Sequence, residues 1–228
     1  MKLVDTGFAH GRRAWLRRAL LGGVLAPLLL REAVAARKPP SGLIMLKGKV
    51  LVNGREAKSG TPVAPGDSVV TAPGGLAVFV VGKDAFLLRE NSELLSSGGN
   101  ALIASLRLVT GKLLSVFGGG RRSITTATAT IGIRGTGIYI EAEAERTYVC
   151  TCYGVVDLQA SNMPSARETV ATRHHEAPRY VYAQGEMAIK MITAAPVINH
   201  SDAELIMLEA LVGREPPFVG TGTQYQDY

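Results

Sequence analysis

Ile124 to Cys152 reads ITTATATIGIRGTGIYIEAEAERTYVCTC, and this stretch sets the fold class and holds both cysteines of the 228-residue chain. Thr126, Thr128 and Thr130 alternate with Ala127, Ala129 and Ile131. A period of two sends hydroxyls to one face of a strand and small apolar groups to the other, which implies a neighbouring layer at close range. Gly132, Gly135 and Gly137 then fall among Ile131, Ile133, Ile138 and Ile140. Glycine inside a strand marks a bulge, a bend or backbone crowding, so this strand is expected to be shaped rather than regular.

On its N-terminal side the chain is a succession of short apolar runs cut by turn residues. Leu43 to Val52 ends at Asn53-Gly54, a strong hairpin signal because both positions tolerate positive φ. Pro65-Gly66-Asp67, Pro73-Gly74-Gly75, Gly82-Lys83-Asp84 and Ser96 to Asn100 separate Ser68–Thr71, Leu76–Val81 and Ala85–Arg89. Ala101–Val109 and Lys112–Phe117 follow, before Gly118-Gly119-Gly120. This spacing predicts an all-β fold, mainly an antiparallel sandwich or roll of short strands. Near the C-terminus, Ser201-Asp202-Ala203-Glu204 forms a capping-box pattern, and Leu205, Ile206, Leu208, Leu211 and Val212 make an apolar stripe ending at Gly213. An amphipathic helix over 202–212 docking on the β body is expected.

The formal charge is +6, but six basic residues against Asp5 and Glu32 put +4 of it before Ala35. The remainder gives no basic patch for nucleic acid. The N-terminus itself reads as a targeting segment. Arg12-Arg13-Ala14-Trp15-Leu16-Arg17 resembles a twin-arginine signal, an apolar run from Ala19 to Leu30 follows, and Ala33-Val34-Ala35 has the small-residue spacing of a cleavage site. A dozen apolar residues fall short of the roughly 20 that span a bilayer. The expected organisation is a signal peptide over 1–35, a linker over 36–42, a β domain over 43–160, an extension over 161–217 and a tail over 218–228. The expected location is the periplasm, or the inner membrane if the segment stays uncleaved. An ordinary Sec signal is the alternative route.

Gly48-Lys49-Val50, Val52-Asn53-Gly54, Ala57 to Gly60, Val63, Pro65-Gly66-Asp67, Val70-Thr71, Gly74-Gly75 and, above all, Gly132-Ile133-Arg134-Gly135-Thr136 resemble the FecR domain family over about half of the chain. The resemblance implies a periplasmic β-rich domain; founding members relay ferric-citrate uptake to a sigma factor. Fewer than twenty residues precede Ala19 here, so the sigma-binding cytoplasmic region is not expected and the sigma role is not carried over. A non-enzymatic binding or envelope-sensing module is expected, with an envelope protein or small ligand as partner and no nucleic acid. In the structural motif, Gly132, Gly135 and Thr136 shape the backbone. Arg134 is read as a structural side chain for carbonyls freed by the glycine bends, with an anion contact as the alternative.

Cys150 and Cys152 stand at i and i+2 of a strand and so share a face. Their Cα atoms would lie about 6.5–7 Å apart, at or beyond the reach of an unstrained disulfide. His174, His175 and His200 follow in the same third of the chain. Thiolate with imidazole is a ligand set for zinc, iron or copper. The candidate metal residues are Cys150, Cys152, His174 and His175; in an extended segment one histidine of the pair joins the thiols while the other faces away or supports it. Buried apolar cysteines and a disulfide are the alternatives. Folding in the cytoplasm before twin-arginine export would deliver reduced thiols and allow metal loading. The sequence has no nucleophile elbow, no Gly-Lys-Ser/Thr phosphate loop and no His-Glu-x-x-His, and catalysis is not expected.

Overall fold

The computed structural model of the chain describes residues 41–99, 102–184 and 188–221. The predicted signal peptide, residues 36–40 of the linker and residues 222–228 of the tail lie outside this range. The chain is all-β. Seven short strands come first: β1 (Gly42–Lys47), β2 (Val50–Val52), β3 (Arg55–Glu56), β4 (Ser68–Thr71), β5 (Leu76–Val81), β6 (Asp84–Leu88) and β7 (Ser92–Gly99). Then come β8 (Leu102–Val116), β9 (Arg121–Thr125), β10 (Ala129–Ala142), β11 (Arg146–Ala160), β12 (Met163–Thr172), β13 (Arg179–Tyr182) and β14 (Ile192–Ala194). Two helices, α1 (Ala188–Met191) and α2 (Asp202–Leu211), complete the described elements. Among the described residues no helix is long and apolar enough to cross a membrane.

All fourteen strands join one hydrogen-bonded sheet. The pairs are antiparallel except β8 with β9, which run parallel. The Asn53-Gly54 hairpin forms as expected, with φ of 52° and 73° at its two central residues, the type I′ signature. Asp67 is a turn residue too: its carboxylate accepts from Ala64 N at 2.7 Å and Asn53 Nδ2 at 2.7 Å.

The expectation of short strands fails at the centre, where β8, β10 and β11 span 15, 14 and 15 residues. Glycines explain the difference. Gly111 (φ 92°), Gly135 (φ 56°) and Gly154 (φ 95°) bend these strands without ending them. Each strand changes partner at its bend. β8 leaves β7 for β6 and β10, β10 leaves β9 for β8, and β11 leaves β13 for β12. One strand thus serves two parts of a sheet that curls around its own core.

The threonine alternation is corrected as well. Thr126 to Thr128 form the turn between β9 and β10 rather than one continuous strand, with Thr125 paired to Thr130 across it. Thr126 Oγ1 accepts from Ala129 N at 3.0 Å and Thr128 N at 3.3 Å, a side chain imitating a backbone turn. Both hydroxyls converge on Thr147 Oγ1, at 2.6 and 2.7 Å.

The sheet buries both of its faces around β5, β6, β8, β10 and β11. Phe79, Phe86, Leu113, Ile138, Ile140 and Val149 point to the larger core inside the curl. Their neighbours Val78, Val80, Leu87, Leu114, Tyr139, Cys150 and Cys152 point outward into a second core, which α2 covers with the wholly buried Leu205 and Leu208. Burying two leucines stabilises this docking by about 1.5–3 kcal/mol each. The capping box forms with both reciprocal bonds: Ser201 Oγ accepts from Glu204 N, and the Glu204 carboxylate accepts from Ser201 N.

Candidate metal centre

The second core contains the chemistry. Period-2 geometry on β11 places Cys150 and Cys152 on one face, both wholly buried. From β12 the chain returns over them through a turn at residues 173–176, where Glu176 accepts the backbone N–H of Arg173 and His174. His175 adopts φ 60°, and its backbone N–H donates to Cys152 O at 3.0 Å. This left-handed residue aims its imidazole inward, with Nδ1 at 3.4 Å from Cys150 Sγ. A second left-handed residue, Asn199 (φ 59°), precedes His200. Asn199 is anchored by its amide to Glu141 at 2.8 Å, and the His200 ring stacks on Tyr139 with centroids 4.6 Å apart. His200 Nε2 arrives 3.0 Å from His175 Nδ1.

Four ligand atoms therefore converge from Cys150, Cys152, His175 and His200, all within 4.8 Å of one another. A tetrahedral zinc ion sets its ligand atoms roughly 3.3 Å (N to N), 3.5 Å (N to S) and 3.8 Å (S to S) apart, from bonds of about 2.0 and 2.3 Å. The measured N-to-N and N-to-S separations of 3.0 and 3.4 Å match that scale.

The tautomers sharpen the point. His200 Nδ1 lies 2.6 Å from Ile198 O, and a carbonyl only accepts, so the proton is on Nδ1 and Nε2 carries a lone pair. His175 Nε2 lies 3.0 Å from the buried Asp202 carboxylate, which fixes its proton on Nε2 and leaves a lone pair on Nδ1. Two lone pairs then face each other at 3.0 Å beside two sulfurs. Such a position calls for a cation. In metal-free protein a proton on His175 Nδ1 fills it, shared with Cys150.

The electrostatics agree. Burial opposes ionisation of Cys150, but hydrogen bonds with Cys152, His175 and His200 outweigh it and hold this thiol well below the ordinary range. Burial and then the neighbouring Cys150 push Cys152 well above it. Burial works against a charged His175, while Cys150 and Asp202 overcome it and raise the group.

The structure brings Cys150, Cys152 and His175 together, and places His174 outside their set. His174 Nε2 donates to Asp202, 2.9 Å from both carboxylate oxygens, so this carboxylate bridges the two neighbouring histidines. His174, His175 and Asp202 also converge, but there each contact already pairs an N–H with an oxygen. His174 separates the cluster from a surface cavity of about 620 Å³ lined by Thr172, Arg173, Glu176, Pro217, Phe218 and Thr221. Sequence reasoning noted His200 near the thiols but left it out of the candidate ligands, and read Asp202 only as part of the capping box. The signal for both was the capping box itself, which ties residues 200–202 to the start of a docked helix.

The Gly132–Thr136 motif builds the β10 bulge, with register shifts on both sides of Gly137. Thr136, not Arg134, meets the carbonyls there: its hydroxyl lies 3.1 Å from both Arg134 O and Val155 O. Arg134 points outward to Asp157 at 3.1 Å, an exposed pair of small energetic weight.

No protein-family model and no curated protein matches the chain. Two crystal structures of a candidate anti-sigma factor from Parabacteroides distasonis ATCC 8503 are similar to it, at 12% identity, with TM-scores of 0.46 and 0.45. Each match covers 56% of this chain and 58% of the other, so the chain spans little more than half the length of those structures.

Proposed function

We propose that this chain is an exported, non-enzymatic β module that holds one transition-metal ion, zinc by preference, on Cys150, Cys152, His175 and His200. The observation that carries the reading is the convergence of two imidazole lone pairs, their tautomers fixed by Ile198 O and Asp202, on two buried sulfurs. Four protein ligands at a buried tetrahedral position complete the coordination of zinc. Such an ion supports structure and offers no open position for substrate. The carboxylate behind His175 is the arrangement that orients metal-bound imidazoles and raises their basicity. Thiolate and imidazole together favour zinc over magnesium or calcium.

The twin-arginine-like N-terminus supports a location in the bacterial envelope. A twin-arginine route would carry the chain across the membrane folded and already loaded, and would spare the thiols oxidation while unfolded. Within the FecR resemblance, the role is that of a binding or sensing domain, with an envelope protein or small ligand as partner.

The test is elemental analysis of full-length protein exported natively and purified without chelator, followed by cobalt(II) substitution. One zinc per chain is expected, with thiolate-to-cobalt charge-transfer bands on substitution. Cys150→Ser and His200→Ala should lose the metal, while His174→Ala should keep it. Metal-free protein with both thiols freely titratable would refute the reading.

A further inference from the structure

The four ligands come from three separate parts of the chain. Cys150 and Cys152 sit within β11, held in the sheet through the ladder with β10. His175 is tied to that strand by its own backbone bond to Cys152 O. His200 belongs to neither; it immediately precedes Ser201, the N-cap of α2, and Asp202 is the first residue of that helix. Before His200 the chain is fastened independently: Ala195 N donates to Pro178 O at 3.0 Å, Tyr148 Oη to Pro196 O at 2.9 Å, and Ile198 N to Tyr148 Oη at 3.3 Å. Beyond it, α2 is tied through Asp202 to His174 and His175 and through Glu209 to Tyr153. His200 is the ligand at that junction.

A helix of ten residues is too short to hold its shape alone in water and needs its docking contacts. Its ion pair from Glu204 to Arg89 is a quarter exposed on each side and adds little. The metal cluster, by contrast, joins the first turn of α2 to the middle of β11. When the cation leaves, a proton on His175 Nδ1 takes its place, and a single contact of 3.0 Å from that nitrogen to His200 Nε2 stands where an ion bound to all four side chains stood. The other ligands are held in or against the ladder of β11, so the tie that weakens is the one at His200.

We propose that metal occupancy controls the docking of α2: the loaded centre clamps the helix over the second core, and loss of the ion lets its first turns lift away. Lifting uncovers Val80, Leu87, Leu114 and Val116, an apolar face that the loaded protein keeps buried. The helix thereby reports the state of the centre at the surface. This inference rests on the metal reading above.

Hydrogen exchange of the full chain, with and without zinc, tests it. If α2 opens only after the ion leaves, its opening equilibrium falls by the factor 1 + [L]/Kd. At free zinc 100 times Kd, amides in 202–212 should exchange about 100-fold more slowly than in chelator-stripped protein, and re-addition should restore the protection. Cys150→Ser alters a ligand fifty residues before the helix, and should leave α2 as exposed as in stripped protein and deaf to zinc. Leu205→Ala should speed exchange yet keep the zinc response. Zinc bound stoichiometrically with α2 exchange unchanged would overturn the clamp and leave the metal reading standing. No bound zinc in the same samples would overturn both.

Discussion

Replacing Asp202 by Asn tests the site through a residue that touches no metal. The wild-type carboxylate is wholly buried and accepts from His174 Nε2 at 2.9 Å and His175 Nε2 at 3.0 Å. Asn keeps the shape but offers a single acceptor oxygen, and its NH₂ cannot accept. If the oxygen serves His175, a neutral bond replaces a charge-assisted one of roughly twice the strength, and the imidazole becomes a poorer ligand. If the NH₂ faces His175 instead, Nε2 must accept, the proton moves to Nδ1 and the ligand atom is lost. Zinc affinity should fall about 10–100-fold, or about 1.4–2.7 kcal/mol. A smaller effect should appear without metal: losing a negative charge in the first turn of α2 costs about 0.3–1 kcal/mol through the helix dipole. Competition against a chromogenic chelator measures the first effect, and urea denaturation of stripped protein the second. Affinity within twofold of wild type, with the β-rich circular dichroism intact, would refute the claim that Asp202 fixes the His175 tautomer.

Other perturbations test the scaffold. A Cβ at Gly137 would run into the Tyr153 ring, whose hydroxyl donates to Glu209 of α2; Gly137→Ala should cost about 1–3 kcal/mol by thermal denaturation, and an unchanged Tm would contradict the crowding argument. Asp84 is wholly buried against Arg122 at 3.1 Å and Gly118 N at 2.9 Å, so Arg122→Leu should destabilise by about 3–5 kcal/mol at neutral pH. Burial is the largest influence on Asp84 and holds its carboxyl above the ordinary value, so its contribution is favourable at low pH and is lost as the group ionises. Losing Arg122 raises it further, and the deficit of the variant should shrink as pH falls from neutrality towards the carboxylate range; a deficit constant with pH would exclude Asp84 as its source. Thr147→Val removes the hydroxyl shared by Thr126 and Thr128 and should cost about 1–3 kcal/mol in denaturant titrations; a neutral effect would mean that the bonds of Thr128 to Val181 O and of Thr126 to the Ala129 backbone satisfy those two hydroxyls without it.

The turn chemistry and the two periodicities were legible before any coordinates, because both are local. Asn53-Gly54 could be read from its tolerance of positive φ, and Ser201–Glu204 from the geometry of four adjacent residues. Where the reading missed, the cause was long-range. Gly111 between two apolar runs looks like a strand end. It bends β8 because Ser92, nineteen residues earlier, occupies the place of a side chain there. Thr126 to Thr128 alternate like a strand, yet the hydroxyl of Thr147, on the far side of a hairpin, makes a turn the better use of them.

The candidate site divides along the same line. Two cysteines at i and i+2 must share a face of any regular strand, so the sulfur half of the site follows from local geometry alone. The histidine half does not, because which imidazole reaches the sulfurs depends on backbone conformations at single residues. With His174 and His175 extended, one faces in and one faces out, and nothing local chooses between them. The choice is made by φ 60° at His175 and by Asp202, twenty-seven residues later, which accepts one N–H from each ring. His200 enters through a second left-handed residue, Asn199, held by Glu141 on β10. Asn accepts that conformation readily, whereas a β-branched residue would resist it. Asn199→Val should therefore weaken the centre without touching a ligand, by turning His200 away from its three partners.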